Sequence, residues 1–260
     1  MIDHKFKKKF GQNFLQDSNI IKKIANVCDT NKDDLIIEIG PGSGALTQEL
    51  VEKSQVLAYE IDIELKDTLI HKFVDKNIKF IFDDFLNRNV KDDLKEIEYK
   101  DLYVIANLPY YITTPIINKI IDEKLDVNKM VLMVQKEVGE RFSAKAGSKD
   151  YSSITIFLNY YFDIKREFIV SRNAFFPKPN VDSVILSFTK KEKKYNVKNE
   201  ELFFTLIRDS FKQKRKTLKN NLREYDFNKI EKILEKNNYP HDVRAENLPL
   251  EVFIEISNNL

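Results

Sequence analysis

Between residues 35 and 135, five short apolar runs alternate with longer amphipathic stretches, and that rhythm narrows the possible folds more than any other feature of the chain. The runs are 35–39, 55–59, 78–82, 102–106 and 130–134. They are rich in Val, Ile, Phe and Tyr, side chains that suit a pleated surface. Four of the five are nearly continuous in apolar residues, as strands of a parallel sheet covered on both faces are. The stretches between them, such as 45–53 and 61–74, carry helical spacing. Strand, helix, strand at this rhythm predicts a doubly wound, Rossmann-like α/β domain. Farther on, 151–161 reads as helix or strand, while 166–170 and 184–188 read as strands flanking a Pro-rich loop. After the lysine run at 190–194 the pattern becomes wholly helical. The expected division is therefore an α/β domain over 1–191 and a small all-helical domain over 192–260.

Composition matters chiefly for what it excludes. The longest apolar stretches fall far short of the ~18 residues a spanning helix needs, and the charged start of the chain has no secretory core. A cytoplasmic protein with no membrane partner is expected. Cys28 is the only cysteine and the three histidines are scattered, so no disulfide, Cys-held cluster or catalytic metal site is expected. The net charge is +2, yet 211–223 holds six Lys or Arg and no acid, and Lys5, Lys7, Lys8 and Lys9 form a second cluster. Uneven basic charge on an otherwise balanced chain suggests a polyanionic partner.

Three motifs carry chemistry. The stretch Glu38-Ile39-Gly40-Pro41-Gly42-Ser43-Gly44-Ala45 follows the first apolar run, where glycines let the backbone approach a ligand at a strand-to-helix turn. It satisfies a dinucleotide pattern that serves NAD, FAD or S-adenosylmethionine alike. Glu38 and the crowding of a third glycine lean toward S-adenosylmethionine. Glu60, 20 residues beyond Gly40, ends the second run where a carboxylate accepts from ribose hydroxyls. Asp84, with Asp83 as its rival, follows the third run and is placed to meet an adenine amino group.

The third motif is Asn107-Leu108-Pro109-Tyr110, after the fourth run. It has the shape found in methyltransferases acting on an exocyclic base nitrogen. Such an amine is a poor nucleophile because its lone pair is delocalised into the ring. An Asn107 side-chain oxygen and a backbone carbonyl that accept its N–H bonds orient the lone pair. Pro109 stiffens the loop, and Tyr110 offers a stacking face for a flipped base.

With these residues the chain resembles the ribosomal RNA adenine dimethyltransferases of the KsgA type over essentially its whole length. Further support comes from Phe10-Gly11-Gln12-Asn13-Phe14-Leu15, Phe175-Phe176-Pro177-Lys178-Pro179 with Val181-Asp182-Ser183, and Arg215-Lys216-Thr217-Leu218-Lys219-Asn220-Asn221-Leu222. The chain departs from the family pattern at Asn180, Tyr111 and Tyr151-Ser152-Ser153, none of which supplies a group the chemistry needs. The resemblance implies an S-adenosylmethionine-dependent enzyme that dimethylates two adjacent adenosines near the 3′ end of 16S ribosomal RNA, within an immature small subunit. It implies that Asn13, Leu15, Gly40, Glu60, Asp84 and Asn107 contact the methyl donor and that Tyr110 and Phe175 sandwich the base. The alternatives are a large-subunit methyltransferase of the macrolide-resistance type and a non-catalytic assembly or transcription factor. The chain is expected to act as a monomer.

The helical domain is expected to grip RNA. Arg208, Lys212, Arg215, Lys219 and Arg223 recur at spacings of 4, 3, 4 and 4, so on one continuous helix they share a face. Phe203, Ile207, Phe211, Leu218 and Leu222 line the adjacent face, with Asn220-Asn221 as the expected point of any break.

Overall fold

The computed structural model describes residues 14–107, 112–192 and 195–260. The strands are β1 (Phe14–Leu15), β2 (Leu35–Ile39), β3 (Gln55–Tyr59), β4 (Ile78–Ile81), β5 (Leu102–Asn107), β6 (Val127–Gln135), β7 (Phe162–Val170), β8 (Phe175–Phe176) and β9 (Ser183–Lys190). Between and after them lie α1 (Ser18–Ala25), α2 (Ala45–Leu50), α3 (Lys66–Lys72), α4 (Val90–Leu94), α5 (Thr113–Asp122), α6 (Lys136–Phe142), α7 (Ser153–Tyr161), α8 (Glu200–Ser210), α9 (Leu218–Asn221), α10 (Phe227–Lys236) and α11 (Leu250–Asn259).

Seven strands form one sheet in the order β4-β3-β2-β5-β6-β9-β7, while β1 and β8 form a two-stranded antiparallel ribbon. Strands β2 to β6 run parallel, and β9 is antiparallel to β6. This is a Rossmann-like α/β fold. The central strands are apolar because both faces are covered: Ile36, Ile37, Leu57, Val104, Ile105 and Val131 have no measurable exposure. At the edge, β4 is only partly covered, and its Lys79 faces solvent.

The order of the strands creates the feature that matters for function. From β2 the chain steps outward to β3 and β4, then returns to place β5 on the other side of β2. Open α/β sheets bind ligands at such a reversal, outside the carboxyl ends of the strands.

The chain divides into two compact units, 1–139 with 165–190, and 140–164 with 191–260. This differs from the expected single cut after residue 191. The helical unit includes α7, an element that spacing alone left open between helix and strand. The cause is aromatic packing. The Tyr160 ring lies 5.3 Å from Phe203 and stacks at 5.7 Å on Tyr195, and its hydroxyl donates to Glu200 Oε1 at 2.7 Å. Ile156 of α7 is fully buried with Leu206, Leu234 and Phe253 of α8, α10 and α11. Ser152 and Thr155 form a reciprocal cap that starts α7, so its helical state is locally secured.

A second expectation is corrected in the same unit. The basic stripe does not lie on one helix, because α8 stops at Ser210 and α9 begins only at Leu218. The break comes well before Asn220. It is stabilised by Asn221, whose Nδ2 donates to the Ser210 and Gln213 carbonyls at 2.7 and 3.2 Å and whose Oδ1 accepts from the Gln213 amide. Thr217 then caps α9 by accepting from the Asn220 amide. Phe203, Ile207, Leu218 and Leu222 are buried as expected, but from two helices joined by a turn.

Candidate donor and base site

The register of the parallel strands brings the sequence motifs to one level. Ile39 lies opposite Tyr59 on one side and Ala106 on the other, so the next residues along, Gly40, Glu60 and Asn107, leave three adjacent strands together. The Gly40 amide donates to the Tyr59 carbonyl at 2.8 Å, which closes the turn out of β2. Asp84 lies three residues beyond Ile81, the partner of Tyr59 in β4.

The glycines are required for reasons of space and conformation. Gly42 and Gly44 have φ of +57° and +73°, values that L side chains rarely adopt. A Cβ on Gly42 would stand 2.8 Å from the Phe14 ring, and one on Gly44 2.7 Å from the Phe73 ring. The loop therefore passes close under β1 on one side and against the end of α3 on the other.

Glu60 is buried, at 3% exposure, and burial pushes its carboxyl above the usual range. Its Oε2 accepts from the Gly42 amide at 2.9 Å and its Oε1 from the Asp62 amide at 2.8 Å. A carboxylate has about four acceptor positions, so these backbone bonds leave capacity for a ligand hydroxyl. Glu38, at 1% exposure, lies against the buried Thr47 hydroxyl, and burial pushes its carboxyl up to about 8 although that hydroxyl opposes the shift. Positive-φ glycines that leave no room for a Cβ, with the buried Glu60 carboxylate bonded to the Gly42 amide, fit a loop that closes around a polar ligand.

Asp84 is half-buried and caps a single 3₁₀ turn, its Oδ1 accepting from the Leu86 amide at 2.9 Å. Its rival Asp83 is exposed, accepts from the Asp84 amide and lies 3.7 Å from Arg88. Arg88 also binds Asp93, which accepts from the buried Tyr59 hydroxyl at 3.1 Å. That network ties the Asp83 side of the loop to the body of the sheet. Spacing did not single out Arg88, since nothing marks an arginine four residues past an acidic pair as a loop anchor.

Leu15 and Phe175 are register partners in the β1·β8 ribbon, with Phe14 opposite Phe176. Both Leu15 and Phe175 belong to the apolar core, at 7% and 5% exposure, whereas Phe176 is 52% exposed. Strand alternation puts the two adjacent phenylalanines on opposite faces of the ribbon. Asn13, Leu108, Pro109 and Tyr110 lie outside the described residues. Arg208, Lys212, Arg215, Lys219 and Arg223 all belong to the helical unit. Lys212 pairs with Asp209 at 2.8 Å, Arg208 donates to Thr205, Arg223 donates to Asn220, and the Lys219 ammonium lies 5.2 Å from the Phe227 ring centre.

The model of the ribosomal RNA adenine dimethylase family matches residues 3–260. A Streptococcus thermophilus protein named ribosomal RNA small subunit methyltransferase A is 44% identical over 98% of this chain and 92% of its own length. A Bacillus cytotoxicus protein of the same name is 42% identical over 98% and 91%. Among solved structures, a dimethyladenosine transferase from Plasmodium falciparum matches with a TM-score of 0.75 at 26% identity, covering 94% of this chain and 95% of that one. The 23S rRNA methyltransferase ErmE matches with a TM-score of 0.76 at 24% identity, covering 95% and 99%, a likeness of fold.

Proposed function

The chain belongs to the ribosomal RNA adenine dimethylase family, and on that premise we propose that it dimethylates the 6-amino groups of two adjacent adenosines near the 3′ end of 16S ribosomal RNA, with S-adenosylmethionine as donor. The observation that carries the reading is the common level of Gly40, Glu60 and Asn107 at the reversal of strand order. The relatives at 41% to 44% identity carry a small-subunit name, and this favours the small subunit over the large one.

When bound, the donor supplies an electrophilic methyl group on a sulfonium. The chain's own residues supply position. The glycine loop admits the donor's amino-acid portion, and Glu60 accepts from its ribose with the acceptor capacity its backbone bonds leave. Asp84 meets the adenine amino group, and Asn13 and Leu15 complete the contacts. Asn107 accepts from the target amine, which turns the nitrogen lone pair toward the methyl, and Pro109 keeps that acceptor in place. No general base is required, because the methylated ammonium is acidic enough to lose its proton to water. Tyr110 and Phe175 are the proposed stacking faces. Since Phe176 is the more exposed ring of its pair, Phe175→Ala and Phe176→Ala tested side by side identify which one the base meets.

The proposed substrate form is an immature small-subunit particle, gripped by a monomer through phosphate contacts from the helical unit. Methyl transfer to immature small subunits, measured beside purified large-subunit RNA, tests the reading. Incorporation into the small-subunit RNA with none in the control supports it, and the opposite preference overturns it.

A further inference from the structure

We infer that Lys72 is a positioning residue for the donor: from the last turn of α3 it holds the glycine loop in its binding shape by gripping two loop carbonyls. The inference rests on the reading of that loop as the donor cradle. The Lys72 Nζ donates to the Ser43 carbonyl at 2.9 Å and to the Gly44 carbonyl at 3.2 Å. These are the carbonyls at the junction of the loop with α2, where Gly44 is the N-cap and provides no capping side chain.

The other loop groups already have partners. The Gly40 amide goes to Tyr59, the Gly42 amide to Glu60 and the Gly44 amide to the Pro41 carbonyl at 2.9 Å. Each of the two peptide planes that follow Ser43 and Gly44 has a single backbone bond, from the Gly44 amide to Pro41 and from the Gln48 amide to the Gly44 carbonyl at 3.3 Å, and Lys72 adds a second tie that joins the two planes. A trans peptide points its carbonyl and its N–H in opposite directions, so a cation holding both carbonyls also sets the next two amides. With Gly40, Gly42 and Gly44 at alternate positions, the loop has little intrinsic preference for this shape.

The same helix also makes the apolar contact, since Phe73 and Leu69 close on Gly44. Lys72 thus adds a charge-assisted bond, roughly twice as strong as a neutral one, at the point where α3 packs on the loop. Partial burial lowers its pKa while buried Glu38, once ionised, opposes that shift, which places the two groups within each other's field. A loop held in shape before the donor arrives binds it more tightly than one that must be ordered on binding.

Calorimetry with S-adenosylmethionine and steady-state kinetics on the full chain test this. Lys72→Met should weaken donor affinity about tenfold, roughly 1.4 kcal/mol, and raise the donor KM in step. The kcat at saturating donor and the melting temperature of the donor-free protein should stay near native. Lys72→Arg, which keeps a cationic donor, should recover most of the affinity. Lys76→Met removes a nearby charge that pairs with Glu52 at 2.6 Å, and should leave affinity unchanged. Unchanged affinity in Lys72→Met, or an equal loss in Lys76→Met, overturns the inference while the donor site stands. Absence of donor binding by the native chain overturns the cradle itself, and the inference with it.

Discussion

The carboxyl end of the parallel strands and the basic segment of the helical unit hold their backbones in opposite ways. At the strand ends, a buried carboxylate accepts from the Gly42 and Asp62 amides, and positive-φ glycines leave no room for a side chain. Along 208–223, the turn between α8 and α9 depends on one half-buried amide, Asn221, and the charged groups around it are exposed. On the proposed reading a change at the first region alters the donor site, because the groups that shape the backbone there are those proposed to meet the donor. A change at the second alters local structure or net charge and leaves the donor site alone.

The sharpest test of that contrast is Asn107→Ala. It should reduce the rate of methyl transfer by roughly 100-fold or more, since a reacting pair displaced by about 1 Å loses that much. Single-turnover kinetics should show this loss with the circular dichroism spectrum and most particle affinity unchanged. Glu60→Ala should follow, weakening donor binding by ~1 to 3 kcal/mol as buried amides lose their acceptor. Calorimetry that finds native donor affinity in this variant would break the link between loop shape and binding.

In the helical unit, Asn221→Ala should cost about 1 to 2 kcal/mol of local stability, from the loss of bonds at the turn. Hydrogen exchange should accelerate at 210–222, with donor affinity unaltered. Reversing Arg215 and Lys219 to Glu should weaken particle binding and lower the log–log salt slope by roughly 0.7 to 0.9 for each phosphate that the protein no longer neutralises. Because Lys212 is engaged by Asp209, its reversal should change the slope less than that of Arg215. An unchanged slope in the double reversal would make the segment a solvated surface and shift the search for RNA-binding groups to Lys5, Lys7, Lys8 and Lys9.

The smallest effect is a pH dependence at Glu38. Its folded pKa of about 8 lies above the ~4.3 of an unfolded glutamate, so between these values the folded state binds more protons. This group's contribution is fully present below the lower value and is lost as pH rises through about 8. Glu38→Gln should therefore flatten the fall in melting temperature of the donor-free protein from pH 5 to 8. A slope as steep as native would mean that other groups set it.

The alternation of apolar runs, the glycine loop and the acidic residue 20 positions on were legible because each is a local device. Continuous apolar strands require two covered faces, and glycines at a strand-to-helix turn mark a close approach. The same reading overextended the basic stripe. Helical spacing at 208–223 records side-chain periodicity, whereas the helix ends at Ser210 because Asn221, 11 residues away, satisfies its carbonyl.

By itself, then, the sequence determined the α/β class, the family motifs and the order in which they occur, since these follow from short-range pattern and residue type. Only the tertiary structure decided their company. It set Gly40, Glu60 and Asn107 at one level, tied Asp83 rather than Asp84 to Arg88, turned Phe175 inward and Phe176 outward, gave α7 to the helical unit and brought Lys72 to the loop. Each of these depends on strand register or on packing between segments distant in the chain, and neither is written in the spacing of neighbouring residues.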